Sequence, residues 1–452
     1  MTRMATTLRA FHVGLYEEHL EDLSFLHEQR GALLRKPGQP WQDLAALEAR
    51  MEEHLDALVV GDTLALDVCR RRAAEGDVGE LHAAVCICCR QKQSGLLAVV
   101  LRDLDMADPQ KAAAVADALI HEMPDDWAPF IGQAIERRDA RLTPLLASVT
   151  GRRRLPFGPQ LVQALRNHGH AAGLERIVDA LGLLGEPGVQ GLLQACTRSE
   201  HPAVRDAALD ALLRLGVAPP PLGEPGGDTF PQALRTALAG DRHTARALAA
   251  AAQAGRATAS DLLALGLLGD PGSLRALHDS LARPELAESA ALALHWVSGA
   301  PLVQAVFVAE EVNEDALIGN ELQAWHRYRE APKRPDGRPY GETVDKLSTE
   351  QAQWKQWFSE HAARFDPALR YRSGRPCSPA VLLANLADPQ ADARLRCAAA
   401  RELAVRYGCD RPFEADMRVA RQCQAIEAIG RWVAGPGAGF EPGQWVFAGR
   451  PQ

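Results

Sequence analysis

Apolar positions recur at helical spacing along most of the chain. In residues 8–36, placing successive residues 100° apart puts His12, Leu15, Tyr16, His19, Leu23, Leu26, His27 and Arg30 on one side. Glu17, Glu18, Glu21 and Glu28 fall mostly away from its centre, so the pattern predicts one long helix. After Lys36-Pro37-Gly38-Gln39-Pro40 a second stripe, Leu44, Leu47, Met51, Leu55 and Leu58 with His54 at its edge, runs to Val60 and stops at Gly61. Residues 1–60 are therefore expected to form an antiparallel helical hairpin. From 61 to 155 the pattern shortens into irregular helical repeats, broken at Gly76-Asp77, Gly79, Ser94-Gly95, Asp108-Pro109 and Pro124-Asp125-Asp126.

The middle of the chain repeats itself. Leu181-Gly182-Leu183-Leu184-Gly185-Glu186-Pro187-Gly188 returns at seven of eight positions as Leu265-Gly266-Leu267-Leu268-Gly269-Asp270-Pro271-Gly272, 84 residues later. A shorter copy, Leu222-Gly223-Glu224-Pro225-Gly226, falls between them, which approximates the roughly 40–47 residue period of two-helix solenoid units. Each copy reads as a helix-to-helix corner: a glycine that can turn left-handed ends one helix, an acid caps the next and proline opens it. No β-pattern precedes the glycines and no Gly-Lys-Ser/Thr follows them, which argues against a phosphate loop. Met106-Ala107-Asp108-Pro109-Gln110 and Leu386-Ala387-Asp388-Pro389-Gln390 carry the same corner chemistry outward. Residues 156–307 are thus the clearest repeats, with Pro219-Pro220-Pro221 as a stiff connection.

From about Val308 the regularity fails, and an insertion over 308–377 is expected. Ten of the chain's 24 aromatic residues lie between Trp296 and Tyr371. Trp354, Trp357, Phe358, His361 and Phe365 share one helical face. That face either packs the insertion against the solenoid or grips a peptide with aromatic anchors. The candidate partner-binding residues are Trp325, Trp354, Trp357, Phe358, Arg370 and Tyr371. Helical repeats resume over 378–434, and a Gly/Pro-rich tail over 435–452 ends in Phe440, Trp445 and Phe447, which can dock.

Composition refines this picture without adding chemistry. Apolar residues make up 47% and charged residues 24%, enough to bury a continuous core, while aromatics are only 5% and Ala and Leu dominate, which suits close helix packing. A net charge of −8 speaks against a general nucleic-acid binder. Arg70-Arg71-Arg72 and Arg152-Arg153-Arg154 read as solvated faces or as a local anion patch. The first 60 residues hold ten acidic and six basic groups, so the hairpin is expected to show an acidic outer face. Nine cysteines without regular spacing, no apparent secretory signal and no long apolar run lead us to expect reduced thiols in a cytoplasmic chain that does not enter a membrane. Cys86, Cys89 and His82 could begin a metal site, although buried cysteines acting as small hydrophobes are the ordinary case. His12 and His19 are about 10.5 Å apart along a helix, too far to share an ion unless another helix supplies ligands. Neither a metal nor a cofactor is expected.

Several stretches carry a resemblance. His201-Pro202-Ala203-Val204-Arg205 through Gly216 resembles the second helix of a HEAT repeat, and Pro284 to Gly299 repeats the plan. Leu15-Tyr16-Glu17-Glu18-His19 with Ser24-Phe25-Leu26 and Gln29-Arg30, Leu47-Glu48 with His54-Leu55-Asp56, and Trp354, Trp357, Arg370-Tyr371 and Gly374-Arg375-Pro376 together resemble a bacterial family of uncharacterised HEAT-repeat proteins. The resemblance implies an all-α, HEAT-like α-solenoid. It also implies an association with type VI secretion loci and an accessory, adaptor or chaperone role toward a secreted effector or spike component. No HExxH, Gly-x-Ser-x-Gly, P-loop or convincing Cys/His pair occurs, so the expected function is a non-enzymatic scaffold that binds another protein. The alternative is an enzyme or nucleic-acid-binding protein on the same scaffold, of DNA glycosylase or chromophore lyase type. For the former, Arg152 to Arg154 with Asp125, Asp126 and Trp127 are the candidates.

Overall fold

The computed structural model describes residues 7–36, 38–137, 139–167, 172–218, 228–314 and 317–452. The shorter repeat copy at 222–226 and Pro219-Pro220-Pro221 lie outside the described residues. The chain divides into two compact units, residues 1–227 with 378–452, and residues 228–377. The 156–307 stretch, read as one set of repeats, is therefore divided at residue 228.

The first unit holds α1 (Leu8–Arg35), α2 (Leu44–Val60), α3 (Asp62–Glu75), α4 (Val78–Arg90), α5 (Ser94–Asp103) and α6 (Pro109–Glu122). It continues with α7 (Ala128–Glu136), α8 (Thr143–Arg153), α9 (Gly158–Asn167), α10 (Leu174–Leu184), α11 (Gln190–Cys196) and α12 (Pro202–Arg214). The second unit holds α13 (Phe230–Ala239), α14 (Arg242–Gln253), α15 (Ala259–Leu268), α16 (Leu274–Ser280), α17 (Ala287–Ser298), β1 (Val303–Ala309), α18 (Gly319–Tyr328), β2 (Gly341–Leu347), α19 (Gln351–His361), β3 (Tyr371–Arg372) and β4 (Arg375–Pro376). The chain then returns to the first unit with α20 (Pro379–Ala387), α21 (Ala393–Val405), α22 (Val419–Ala434), β5 (Val446–Phe447) and β6 (Arg450–Pro451).

The fold is an α-solenoid. In the first unit α4, α6, α8, α10 and α12 each pack on the next, and in the second α13, α15 and α17 do the same. These inner helices touch through their smallest residues. A Cβ added to Gly182 would sit 2.5 Å from the Ala211 Cβ, and one added to Gly266 would sit 2.7 Å from the Ala293 Cα. Gly151 meets Ala180 in the same way at 2.8 Å. The repeated Leu-Gly-Leu-Leu-Gly therefore uses its glycines differently. The first lets two helices approach, and the second, Gly185 or Gly269, takes a left-handed conformation (φ 65° and 73°) that ends the helix. At the second corner Asp270 accepts from the Gly272 N–H at 3.1 Å and Pro271 opens the turn, as the repeat predicts.

The N-terminal hairpin forms as expected, but its acidic face is largely paired. Glu17 binds Arg71 and Glu21 binds Arg72, so the arginine run on α3 is a joint to α1. The C-terminal helices close back on the start of the chain. The Arg30 Nε donates to Glu48 at 2.7 Å, Glu48 accepts from the Val419 N–H at 2.8 Å, and the Trp41 indole donates to the Asp388 carbonyl at 3.2 Å.

Two features depart from the helical expectation. Residues 303–309 and 341–347 pair as an antiparallel ribbon, Val306 opposite Val344, so the insertion begins inside a strand and not at 308. A short hairpin also recurs: Tyr371-Arg372-Ser373-Gly374-Arg375-Pro376 and Val446-Phe447-Ala448-Gly449-Arg450-Pro451 both turn through two residues of positive φ. Each caps a helix. Ser373 and Gly374 donate to the Trp296 and Val297 carbonyls at 2.7 and 2.9 Å, and Ala448 and Gly449 donate to those of Val405 and Arg406 at 3.1 and 2.7 Å. The tail thus docks through Trp445 and Val446, both buried.

On propensity alone, Gly→Ala inside a helix should add about 1 kcal/mol of stability. Overpacking at the crossings reverses the sign: Gly182→Ala and Gly266→Ala are each expected to cost about 1–3 kcal/mol. Gly14→Ala in α1, where the added Cβ meets nothing within 4 Å, should stabilise. Denaturant midpoints of the three variants check this.

Candidate functional site

The six residues singled out from the sequence separate in the structure. Trp354 is fully buried and its indole donates to the Ser348 carbonyl at 2.7 Å. Arg370 is also fully buried, its Nε and Nη2 donating to the Leu268 and Leu267 carbonyls at 3.1 Å each, at the C-terminal end of α15. That placement satisfies orphan carbonyls and opposes the helix dipole. Tyr371 is buried, and its hydroxyl accepts from the Asp366 N–H and donates to the Arg364 carbonyl. These three are packing residues, because the chain's own surfaces cover them.

Trp357 and Phe358 are half-buried. Trp357 stacks on His361 at 4.3 Å and leads through Phe365 to Tyr371. Trp325 lies apart on α18, its indole donating to Glu314 at 2.7 Å with the Arg329 guanidinium 5.3 Å from its ring.

The surroundings of Trp325 were not legible as a site. Among the described residues, six of the twelve exposed large apolar side chains lie between 303 and 340: Val303, Phe307, Val308, Ile318, Tyr328 and Tyr340. No residue of α18 is buried. The β1–β2 ribbon and α18 thus form an arm without a core of its own, and a two-stranded ribbon alone is at best marginally stable in water. The signal for its strands was the run Val303-Gln304-Ala305-Val306-Phe307-Val308, rich in β-branched residues.

A second cluster is interior to the first unit. His27 of α1 stacks on His82 of α4, ring centroids 3.9 Å apart. The His82 Nε2 lies 3.0 Å from Asp117 Oδ2 on α6, and the His121 Nε2 lies 3.4 Å from Asp117 Oδ1. Burial and the neighbouring His82 push the His27 pKa down to about 3. Burial alone would raise Asp117, but hydrogen bonds from His121 and His82 outweigh it and hold the carboxyl well below the usual range. Cys86 Sγ lies 3.8 Å from the His82 Nε2, while Cys86, Cys88 and Cys89 are buried and burial raises all three thiols. The cysteines behave as small hydrophobes.

The arginine run at 152–154 is structural. Arg152 pairs with Asp416, Arg153 donates to the Leu119 and Met123 carbonyls and to Asp125, and Arg154 donates to the Leu183 carbonyl. Asp126 pairs with Lys92, and Trp127 is buried. The groups weighed for a DNA-binding groove therefore join helices to one another.

The profile of the HEAT repeats family matches residues 158–255, from the start of α9 to just past the end of α14. No curated protein and no solved structure matches the chain. HEAT repeats are in general protein-interaction scaffolds, which agrees with the stacked helix pairs. Among the described residues no helix is long and apolar enough to cross a membrane.

His19 and His54 join α1 to α2 with their Nδ1 atoms 2.9 Å apart. Burial and His54 lower the His19 pKa, against the opposing pull of Asp22 and Glu18. A folded-state value below the unfolded 6.5 means that the unfolded chain binds more protons, so this contribution is full above pH 6.5 and is lost as pH falls below it. Thermal midpoints in chelator should drop between pH 7.5 and 5.5, and His19→Gln should shrink that drop.

Proposed function

We propose that the chain is a non-enzymatic scaffold that binds another protein, and that the arm over 303–347 makes the contact. The observation that carries this reading is the concentration, among the described residues, of half the exposed large apolar side chains on an arm that buries none of α18. Patches of that kind mark interaction surfaces when they sit on a folded body. Trp325, Phe307 and Tyr328 supply the aromatic anchors typical of interface hot spots, and Arg327 and Arg329 lie over the Tyr328 and Trp325 rings. Trp357 and Phe358, partly open, extend the same chemistry within the second unit.

A finer assignment rests on the family resemblance alone: an adaptor or chaperone in the cytoplasm, accessory to type VI secretion, whose client is an effector or spike component. Its acidic balance, −8 overall, favours a protein client over nucleic acid.

A photocrosslinking amino acid placed at Phe307 or Trp325 should give one ultraviolet-dependent protein adduct in native cells. Replacing the exposed Phe307 and Tyr328 together by serine should remove the copurifying partner while leaving the thermal midpoint within about 2 °C, since exposed sites change stability little. A wild-type chain that yields neither adduct nor partner would overturn the proposal.

A further inference from the structure

We propose that His27, His82 and Asp117 form a Zn²⁺ site that ties the N-terminal helix to the solenoid. One donor atom from each lies within 4.8 Å of the other two, and the three come from α1, α4 and α6, which pack in that order. The condition that a single histidine-bearing helix could not meet, ligands from a neighbouring helix, is supplied here by α4 and α6.

The donor set fits the ion. Two imidazoles and a carboxylate are borderline N and O ligands of the kind zinc takes, with Zn–N and Zn–O bonds of about 2.0–2.1 Å. Tetrahedral bonds of that length put neighbouring donors about 3.3 Å apart, close to the 3.0 Å between the His82 Nε2 and Asp117 Oδ2. His27 must turn out of its stack on His82, whose ring plane is only 21° from its own, and move inward, because an imidazole binds an ion in its own ring plane.

Two further observations favour a ligand over a simple buried hydrogen-bond pair. His27 finds no hydrogen-bond partner among the described residues, although it is half-buried against His82. The His121 Nδ1 is buried without a partner, while its Nε2 faces the second Asp117 oxygen. His121 is therefore a positioning residue that holds the carboxylate, the arrangement common behind metal-bound carboxylates. The Asp117 side chain is 35% exposed, against 2% for His82, so an ion can enter from its side. Three protein ligands leave a fourth position for water. The site thus replaces hydrophobic packing with a coordinate cross-link where α1 meets α4 and α6.

The test uses the full chain, stripped with chelator and titrated with Zn²⁺ by calorimetry in the presence of a competing chelator. The expected result is one ion per chain and a zinc-dependent rise in thermal midpoint. Cobalt substitution should give the visible absorption of a four-coordinate site. His27→Gln and Asp117→Asn should each weaken binding by more than about 100-fold, and His121→Gln by about 10- to 100-fold. His19→Gln/His54→Gln, which removes the other histidine pair, should leave the titration unchanged. Circular dichroism of the His27 and Asp117 variants separates lost binding from lost folding. No zinc uptake by the wild-type chain, or equal uptake by folded His27→Gln and Asp117→Asn variants, would overturn the proposal. So would loss of uptake in the His19/His54 variant alone.

Discussion

Backbone-to-backbone approach of neighbouring inner helices is the constraint on which the rest of this structure depends. Where Gly182 meets Ala211, Gly151 meets Ala180 and Gly266 meets Ala293, there is no room for one more carbon without displacing main chain. Close approach lets the flanking leucines interdigitate: Leu181 and Leu212 in the first unit, and Leu265 and Leu294 in the second, are fully buried. The low aromatic content follows from the same geometry, because bulky rings would hold the helices apart. Aromatic residues collect where that stacking ends, in α19 and the segments that flank it.

Polar groups inside the units serve as joints, and most of them join helix ends. Arg370 and Arg372 donate to the last carbonyls of α15, and Arg153 donates to the Leu119 carbonyl in the last turn of α6 and to that of Met123 just beyond it. The two Gly-Arg-Pro hairpins then cap α17 and α21 through main-chain N–H groups. A helix end buried without such partners would leave carbonyls unsatisfied at a cost of about 1–3 kcal/mol each. Many residues that carried the family resemblance are joints of this kind: Glu17 to Arg71, His19 to His54, Arg30 to Glu48, and Arg370 to α15. Their pattern reports architecture more than chemistry.

The histidine cluster and the arm divide the remaining roles. The cluster is half-buried within the first unit and joins three of its helices. The arm is open and has no core of its own, which is why the proposed partner contact is placed there. A scaffold of stacked helices can carry both, since each repeat contacts only its neighbours and a local elaboration leaves distant repeats undisturbed.

Local pattern in the sequence determined the helices, the corner at Gly269-Asp270-Pro271 and the solenoid class, because 3.6-residue periodicity and turn chemistry act over a few residues. It also isolated an aromatic-rich stretch. What it could not separate was burial from exposure within that stretch: Trp354 and Trp325 have the same side chain, yet one is sealed and the other lies on a coreless arm. Only the tertiary structure decided that, along with the pairing of His27 with His82 and Asp117, the return of α22 onto α2, and the division at residue 228. The physical reason is distance along the chain. Asp117 is 90 residues from His27 and Val419 is 371 from Glu48, and no periodicity within a helix encodes which remote face it will meet.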